Sequence, residues 1–167
     1  IKEKSASFPG VDVQVKSVRS YPDGTFAPHV LGIVGAISSE EYEEKKDDGY
    51  SLNDTVGKNG IEYAYETELR GKKGKKLITT DSDGNTTEKY TVMPEPGNSV
   101  ILTLDAALQK TAQDALSDLI TKMRKSNPRV SSGAVVAMDV KNNEVLACAN
   151  YPSYNLSTYS KNSAKLN

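Results

Sequence analysis

The sequence GAVVAMDV at residues 133–140, followed by EVLACA at residues 144–149, decides much of the fold. Both stretches are almost continuously apolar, and Asn142-Asn143 between them tolerate the backbone of a tight turn. This pattern predicts a β-hairpin that needs apolar cover on both faces. We therefore expect the hairpin to belong to a larger sheet, and we expect a chain that leaves it uncovered to dimerise or to be unstable.

A long helix is predicted just before this hairpin. Asp105 stands in the N-cap position, and the apolar residues after it recur at helical spacing. That stripe comprises Leu108, Ala112, Ala115, Leu116, Leu119, Ile120 and Met123. Residues 100–104 are predicted to form a short strand before the cap. Residues 154–167 are rich in Ser and Asn, which predicts a loop or a chain that stops before its next element.

A second β-hairpin is predicted at residues 75–80 and 86–92. The sequence DSDGN at residues 81–85 separates these segments and is rich in residues that accept positive φ. The alternative is a calcium loop, but its glycine would be needed at the sixth position and its glutamate at the twelfth. Here Gly84 is fourth and Glu88 is eighth, so a hairpin turn is favoured.

The first part of the chain combines a strand, a turn and a buried segment. Residues 11–18 alternate between apolar and polar, which predicts a half-buried strand. The sequence YPDG at residues 21–24 predicts a turn, and the apolar run at residues 30–37 predicts a buried strand. Ser38 and Glu41 then have the spacing of a capping box, which predicts a short acidic helix ending near residue 46.

A second capping box is predicted by Asn59 and Glu62. The apolar residues that follow are four apart, so a helix is expected from about residue 60 to residue 70. Gly71 then stands where a left-handed residue ends a helix. The chain as a whole is predicted to be α+β, with mixed helices and antiparallel hairpins followed by a strand, a helix and a hairpin.

Composition excludes several classes of function. The 167 residues carry a formal net charge of −1, so a broad nucleic-acid-binding face is not expected. The longest charge-free apolar run has eight residues, whereas a membrane-spanning helix needs about 20. No signal peptide is visible in the sequence. One cysteine and one histidine exclude an internal disulfide and a Cys- or His-rich metal site, and no cofactor is predicted.

Four blocks of sequence resemble motifs of the class B penicillin-binding proteins, the bacterial cell-wall transpeptidases. RSYPDG at residues 19–24, with HVLG at residues 29–32, is similar to a motif of their non-catalytic region. GKNGIE at residues 57–62, continued by Tyr65-Glu66, Leu69-Arg70-Gly71 and Gly74, is similar to a second signature. The segments 103–109 and 133–152 resemble the opening of the transpeptidase domain.

The resemblance implies two parts and a role outside the membrane. Residues 1–97 would form the non-catalytic pedestal, also called the dimerisation domain, and residues 98–167 would form the truncated start of the transpeptidase domain. The chain would position that domain for peptidoglycan cross-linking, on the extracytoplasmic face of a membrane reached through an anchor absent from this chain. Its partners would be its own transpeptidase domain, other cell-wall synthesis proteins and a second copy of itself, with no nucleic acid.

The resemblance also identifies structural rather than catalytic residues. Glu66 and Arg70 have the spacing of an ion pair on one helix, and His29 is expected to hydrogen-bond the turn at residues 21–24. The residues that match the family's motifs, and are predicted to maintain the domain, are Arg19, Tyr21, Pro22, Gly24, His29, Gly32, Gly57, Gly60, Glu62, Glu66, Arg70, Gly71, Asp105 and Asp139. No catalytic, substrate-binding or metal-binding residue is predicted.

The chemistry of the family needs a serine with a lysine three residues later, because that spacing brings the amine to the hydroxyl proton. No serine of this chain has such a lysine, and the Lys-Thr-Gly or Lys-Ser-Gly sequence is also absent. Cys148 and His29 could be imagined as a nucleophilic dyad, but a cysteine in an apolar strand is expected to be inert. We therefore expect acyl transfer through a serine acyl-enzyme, which β-lactams trap, to belong to the parent protein.

Two other functions compete with this interpretation. The basic cluster at residues 70–76 could contact lipid headgroups, wall polymers or an acidic partner, or it could be a solvated loop, which is favoured. In the first case, the chain would be a stand-alone extracytoplasmic binding or adhesion module. A small enzyme with carboxylate chemistry is the third hypothesis. Labelling by a fluorescent penicillin separates these hypotheses, since only the full-length parent is expected to react.

Overall fold

A computed structural model of the chain describes residues 18–82 and 86–163. The predicted strand at residues 11–18 therefore lies almost wholly outside the described residues, as do the centre of the turn at residues 81–85 and the last four residues of the tail. The described helices are α1 Pro28–Leu31, α2 Ser39–Lys45, α3 Gly60–Ala64, α4 Glu66–Arg70, α5 Ala106–Ser126 and α6 Leu156–Ser163. The described strands are β1 Val34–Ala36, β2 Thr55–Gly57, β3 Lys75–Thr80, β4 Thr86–Val92, β5 Gly133–Met138 and β6 Val145–Tyr151.

These elements make the α+β architecture predicted from the sequence. The strands form three antiparallel pairs, β1 with β2, β3 with β4 and β5 with β6. Helix α5 packs on the β5–β6 hairpin, and Leu116, Ile120 and Ala149 form the buried cluster between them. The long helix and the 133–149 hairpin are therefore confirmed, and Asn143 at the hairpin turn has a φ of 62°.

Two short elements replace the strand predicted at residues 30–37. Pro28 occupies the first turn of α1, where its missing N–H costs no hydrogen bond. The chain becomes extended only at Val34–Ala36, where β1 pairs with β2. The prediction was therefore wrong for residues 30–33, because an apolar run has the same appearance in a buried helix and in a buried strand.

The capping box before α2 is confirmed. The backbone N–H of Glu41 donates to Ser38 Oγ at 3.2 Å, and the backbone N–H of Ser38 donates to Glu41 Oε2 at 2.7 Å. A single turn of 3-10 helix, Lys46–Asp48, continues α2 and ends at Gly49, whose φ is 79°. The helix expected at residues 60–70 is present but interrupted, since α3 and α4 are separated at Tyr65.

Two predictions near α5 and β6 are wrong. Residues 100–104 form no strand; instead, Thr103 Oγ1 donates to the Val145 carbonyl at 2.7 Å and the backbone N–H of Asp105 donates to the Leu146 carbonyl at 2.9 Å. The segment thus lies beside β6 without a ladder. Residues 156–163 form helix α6 rather than a loop. The apolar residues of this segment show little helical periodicity, so the sequence did not indicate that Leu156 would be buried at 2% exposure.

One side of the β5–β6 hairpin remains open within the described residues. Ala147 and Ala149 are buried, whereas Val136 and Met138 are 58% and 51% exposed. Residues 18–82 and 86–163 therefore leave β5 without the apolar cover that the sequence predicts it needs. Among the described residues, no helix combines the length and the apolar character that crossing a bilayer requires.

Candidate functional site

The candidate site is the junction where residues 21–29 pack on α5 and on the segment between β6 and α6. Asp23 shapes the turn, since its Oδ1 accepts hydrogen bonds from the Thr25 hydroxyl at 2.7 Å and the Thr25 N–H at 2.9 Å. The hydrogen bond from the Thr25 hydroxyl has the larger effect, and together with the one from the Thr25 N–H it lowers the pKa of Asp23. The Gly24 carbonyl accepts from the Leu156 N–H at 2.8 Å, which fastens the turn to the start of α6.

Gln113 of α5 binds the same turn from the other side. Its Oε1 accepts from the Ala27 N–H at 3.0 Å, and its Nε2 donates to the Thr25 carbonyl at 2.9 Å. Tyr154 adds a third connection, because its hydroxyl donates to the Pro28 carbonyl at 3.0 Å. Ala27 itself is only 2% exposed. The turn is therefore held by residues more than 80 positions later in the chain.

His29 has a different partner from the one predicted. Its Nε2 lies 3.3 Å from the Pro152 carbonyl, and its ring meets the Tyr154 ring edge-on at 4.8 Å between centroids. The predicted bond to the turn at residues 21–24 is wrong, because His29 lies on α1 and faces the end of β6 instead. His29 and Cys148 both border this junction, but no hydrogen bond joins their side chains.

Asn59 and Glu62 do not form the predicted capping box. Asn59 Oδ1 accepts from the Ile33 N–H at 2.9 Å. Glu62 is 8% exposed and binds Arg19, whose Nη2 lies 2.6 Å from its Oε2. The prediction was wrong because distant groups compete for both side chains. Burial, and then the Glu62 charge, raise the pKa of the neighbouring Tyr21.

Glu66 and Arg70 also bind distant groups rather than each other. Glu66 accepts from the Gly57 N–H at 2.7 Å and from the Tyr50 hydroxyl at 3.4 Å. Arg70 donates to the carbonyls of Asp48 and Gly49, approaches Asp54 at 3.7 Å and stacks on the Tyr50 ring at 3.4 Å. Burial raises the pKa of Tyr50, and the Glu66 charge adds to that effect.

The remaining predicted residues lie at turns and helix ends. Gly71 follows α4 with a positive φ of 72°, but its ψ of −167° lies outside the left-handed helical region. Asp105 caps α5 by accepting from the Leu108 N–H at 2.8 Å, as predicted. Asp139 accepts from the Lys141 N–H at 2.8 Å and so shapes the hairpin turn after β5. Pro22 precedes the turn closed by the Phe26 N–H on the Asp23 carbonyl.

Three lysines of the basic cluster at residues 70–76 are ion-paired. Lys72 binds Glu95 at 2.8 Å, Lys73 binds Asp54 at 2.5 Å, and Lys76 binds Glu88 at 2.8 Å. Their pairing lowers the net charge that the cluster presents. Within residues 18–82 and 86–163, no group of three or more His, Cys, Asp or Glu side chains is placed to hold a metal ion.

The sequence assigned no role to two glutamines that organise the junction, although Gln109 belongs to the segment 103–109 that resembles the family. Gln109 is fully buried, and its Nε2 donates to Gln113 Oε1 at 2.8 Å. The signal was present but weak: both glutamines lie four residues apart on α5, next to its apolar stripe. The role of a polar residue beside such a stripe can be assigned only when its hydrogen-bond partner is known.

Comparison with known proteins agrees with this fold. The family model described as "Penicillin-binding Protein dimerisation domain" matches residues 1–102. The chain therefore belongs to that family, within the class B penicillin-binding proteins. Peptidoglycan D,D-transpeptidase MrdA of Acinetobacter baumannii is 32% identical over 154 residues, which cover 92% of this chain and 21% of that protein. Penicillin-binding protein 2A of Bacillus subtilis is 36% identical, over 89% of this chain and 22% of that protein.

Solved structures have the same fold. Penicillin-binding protein 2B of Streptococcus pneumoniae aligns with a TM-score of 0.67 and 26% identity, covering 93% of this chain and 27% of that chain. The PBP2 of Helicobacter pylori, solved in complex with MreC, aligns with a TM-score of 0.62 and 32% identity, covering 84% and 24%. The chain thus spans about a quarter or less of the length of the relatives it matches.

Proposed function

We propose that the chain is the pedestal of a class B penicillin-binding protein, residues 1–97, with the first elements of its transpeptidase domain, residues 98–167. Its function is to hold that domain in a set orientation outside the membrane for peptidoglycan cross-linking. Membership of the dimerisation-domain family and similarity to D,D-transpeptidases support this proposal. The catalytic step, acyl transfer through a serine acyl-enzyme, belongs to the parent protein.

The observation that carries the proposal is the junction around Gln113. Hydrogen bonds from Gln113, Tyr154 and Leu156 reach backbone groups of residues 24–28, which belong to the pedestal. Because residues 24–28 are hydrogen-bonded from two sides, they have little freedom to rotate relative to α5 and β6. A domain that includes α5 and β6 would therefore keep a fixed orientation relative to the pedestal. This is a positioning role and requires no reactive group in the chain.

The proposed partners follow from the same assignment. They are the transpeptidase domain itself, other cell-wall synthesis proteins and a second copy of the chain. The Helicobacter pylori relative was solved with MreC, which supports a protein partner from that machinery. The proposed location is the extracytoplasmic face of the bacterial membrane.

Two measurements test the proposal. A fluorescent penicillin is expected to label the full-length parent and to leave this chain unlabelled; labelling of the chain would refute a non-catalytic role. In the parent, Gln113→Leu is expected to leave penicillin acylation intact while lowering peptidoglycan cross-linking. Lys122→Leu, at an exposed position of the same helix, is the matched control and is expected to retain both activities. Undiminished cross-linking by the Gln113→Leu variant would contradict the positioning role.

A further inference from the structure

A groove of about 1020 Å³ opens in the pedestal, beside α3 and α4 and next to the segment that enters β3. Its wall is rich in cations and tyrosines. The lining side chains that bear charge or an aromatic ring are Lys45, Asp48, Tyr50, Tyr63, Glu66, Arg70, Lys72, Lys73 and Lys75. Five cations and two carboxylates line the groove, and Asp54 and Glu95 beside it pair with two of the cations, so a small excess of positive charge remains. An opening of this size exceeds what a single small anion would fill.

Lys45 is the most informative residue of the groove. Its Nζ lies 5.5 Å from the centre of the Tyr50 ring and 5.7 Å from that of Tyr63. Both distances allow attraction between the ammonium group and the ring faces. Among the residues that the structure describes, Lys45 makes no ion pair, although its side chain is half-buried. Its charge acts on the Glu41 carboxylate without direct contact, and it can therefore also attract an anion entering the groove.

The other cations differ in their availability. Arg70 is occupied, since its guanidinium donates to two backbone carbonyls and stacks on Tyr50. Lys72 and Lys73 are paired with Glu95 and Asp54, which do not line the groove. The Lys72–Glu95 pair is exposed on both sides, and exposed pairs contribute little free energy, so an incoming polyanion can share Lys72. Lys73 is held more firmly, because the side chain of its partner Asp54 is only 17% exposed. Arg70 and Lys73 accordingly shape the wall, and Lys45, Lys72 and Lys75 provide the charge.

We propose that this groove binds an anionic polysaccharide, a sugar chain that carries carboxylate or phosphate groups. Tyr63 is 59% exposed although Lys45 lies over one face of its ring, so part of the ring surface is accessible to the apolar C–H face of a sugar. Lysine ammonium groups bind single anionic groups as point charges, which suits a regularly spaced polyanion. A bilayer surface is flat and cannot follow a recessed groove. This proposal goes beyond the positioning role and does not depend on it.

The test uses the whole chain and defined probes at low ionic strength, because salt screens exposed charges. Polygalacturonate is the anionic polysaccharide and dextran is its uncharged counterpart. Poly-glutamate and vesicles of phosphatidylglycerol with phosphatidylcholine represent an acidic peptide and a membrane. We expect polygalacturonate to bind in a calorimetric titration and dextran not to bind. Equal or tighter binding of poly-glutamate or of the vesicles would overturn the choice of ligand.

Variants locate the binding to the groove. Lys45→Gln and Tyr63→Ala are each expected to weaken polygalacturonate binding about tenfold, the effect of losing roughly one charged or aromatic contact. Lys122→Gln, on α5 and outside the groove, is the control for loss of one positive charge. Thermal unfolding verifies that each variant folds, and Lys75→Gln replaces any variant that does not. Variants that fold and bind like the unchanged chain would refute the proposal.

Discussion

Gln109 of α5 takes the place of a neighbouring strand for Cys148 of β6. Its Oε1 accepts from the Cys148 N–H at 2.7 Å, and its Nε2 donates to the Cys148 carbonyl at 3.0 Å. The two residues are 39 positions apart, and Gln109 is 0% exposed. A single side-chain amide thus binds both the backbone N–H and the backbone carbonyl of Cys148. It also fixes the helix against the hairpin in one register.

Gln109→Leu is expected to destabilise the chain by about 1–3 kcal/mol, because a buried N–H and a buried carbonyl lose their partners while the side-chain volume is nearly retained. Urea unfolding followed by circular dichroism measures this free energy. Lys122→Leu also introduces a leucine on α5, but at an exposed site, and should change stability by less than about 0.5 kcal/mol. A Gln109→Leu variant as stable as the control would show that water replaces the amide.

Removing Arg19 should destabilise the chain more than removing the charge of its partner Glu62. Arg19→Ala leaves the Glu62 carboxylate, which is 8% exposed, without its cation, so a cost of about 1–3 kcal/mol is expected. Glu62→Gln leaves the Arg19 guanidinium, whose side chain is 39% exposed and can be hydrated, so its cost should be smaller. A double-mutant cycle in urea measures the coupling. Additive single effects would mean that the pair contributes nothing of its own.

Gly32 and Gly49 should differ strongly in their tolerance of a side chain. Both have positive φ, but Gly49 lies in the left-handed helical region, whereas Gly32, with a ψ of −177°, lies in a region open essentially to glycine alone. A Cβ at Gly32 would also lie 2.0 Å from the backbone carbonyl oxygen of Asn59, whereas nothing lies within 4 Å at Gly49. Gly49→Ala is expected to cost about 1–2 kcal/mol from the left-handed backbone alone. Gly32→Ala should cost more than about 4 kcal/mol, because backbone cannot move aside cheaply. Similar unfolding midpoints for the two variants would contradict the contact between Gly32 and Asn59.

Acid should weaken the bond between Glu41 of α2 and Lys58. The hydrogen bond that Glu41 accepts from the Lys58 ammonium group, and then the one it accepts from the Ser38 N–H, hold the pKa of Glu41 below its usual 4.5. A carboxylate whose pKa falls on folding stabilises the protein above its unfolded pKa and loses that contribution as pH falls through the folded value. Stability should therefore decrease below about pH 4.5, and Glu41→Gln should reduce this slope. Urea unfolding of the unchanged chain and of the Glu41→Gln variant, between neutral and acidic pH, measures this slope. Parallel plots of stability against pH for the two proteins would show that Glu41 does not cause the loss of stability in acid.

The strongest local patterns were predicted correctly because their determinants lie within a few residues. Ser38 and Glu41 cap α2 with their own backbone, and Asp105 caps α5. The β5–β6 hairpin follows from its apolar arms and from Asn143, which adopts the expected positive φ. For several motif residues the partners predicted from the sequence were wrong: His29, for example, binds Pro152 rather than the turn before it.

The sequence by itself therefore determined the helices and hairpins with strong periodicity, the turn residues and the absence of a Ser-x-x-Lys motif. The tertiary structure decided which groups Asn59, Glu62 and Gln113 bind, and whether the apolar run after Pro28 begins as helix or as strand. The physical reason is that a polar side chain binds whichever backbone or charged group the fold brings within reach, and for the buried Glu62 such a partner is required. For Gln113 that partner lies 86 positions away, beyond the reach of any local pattern.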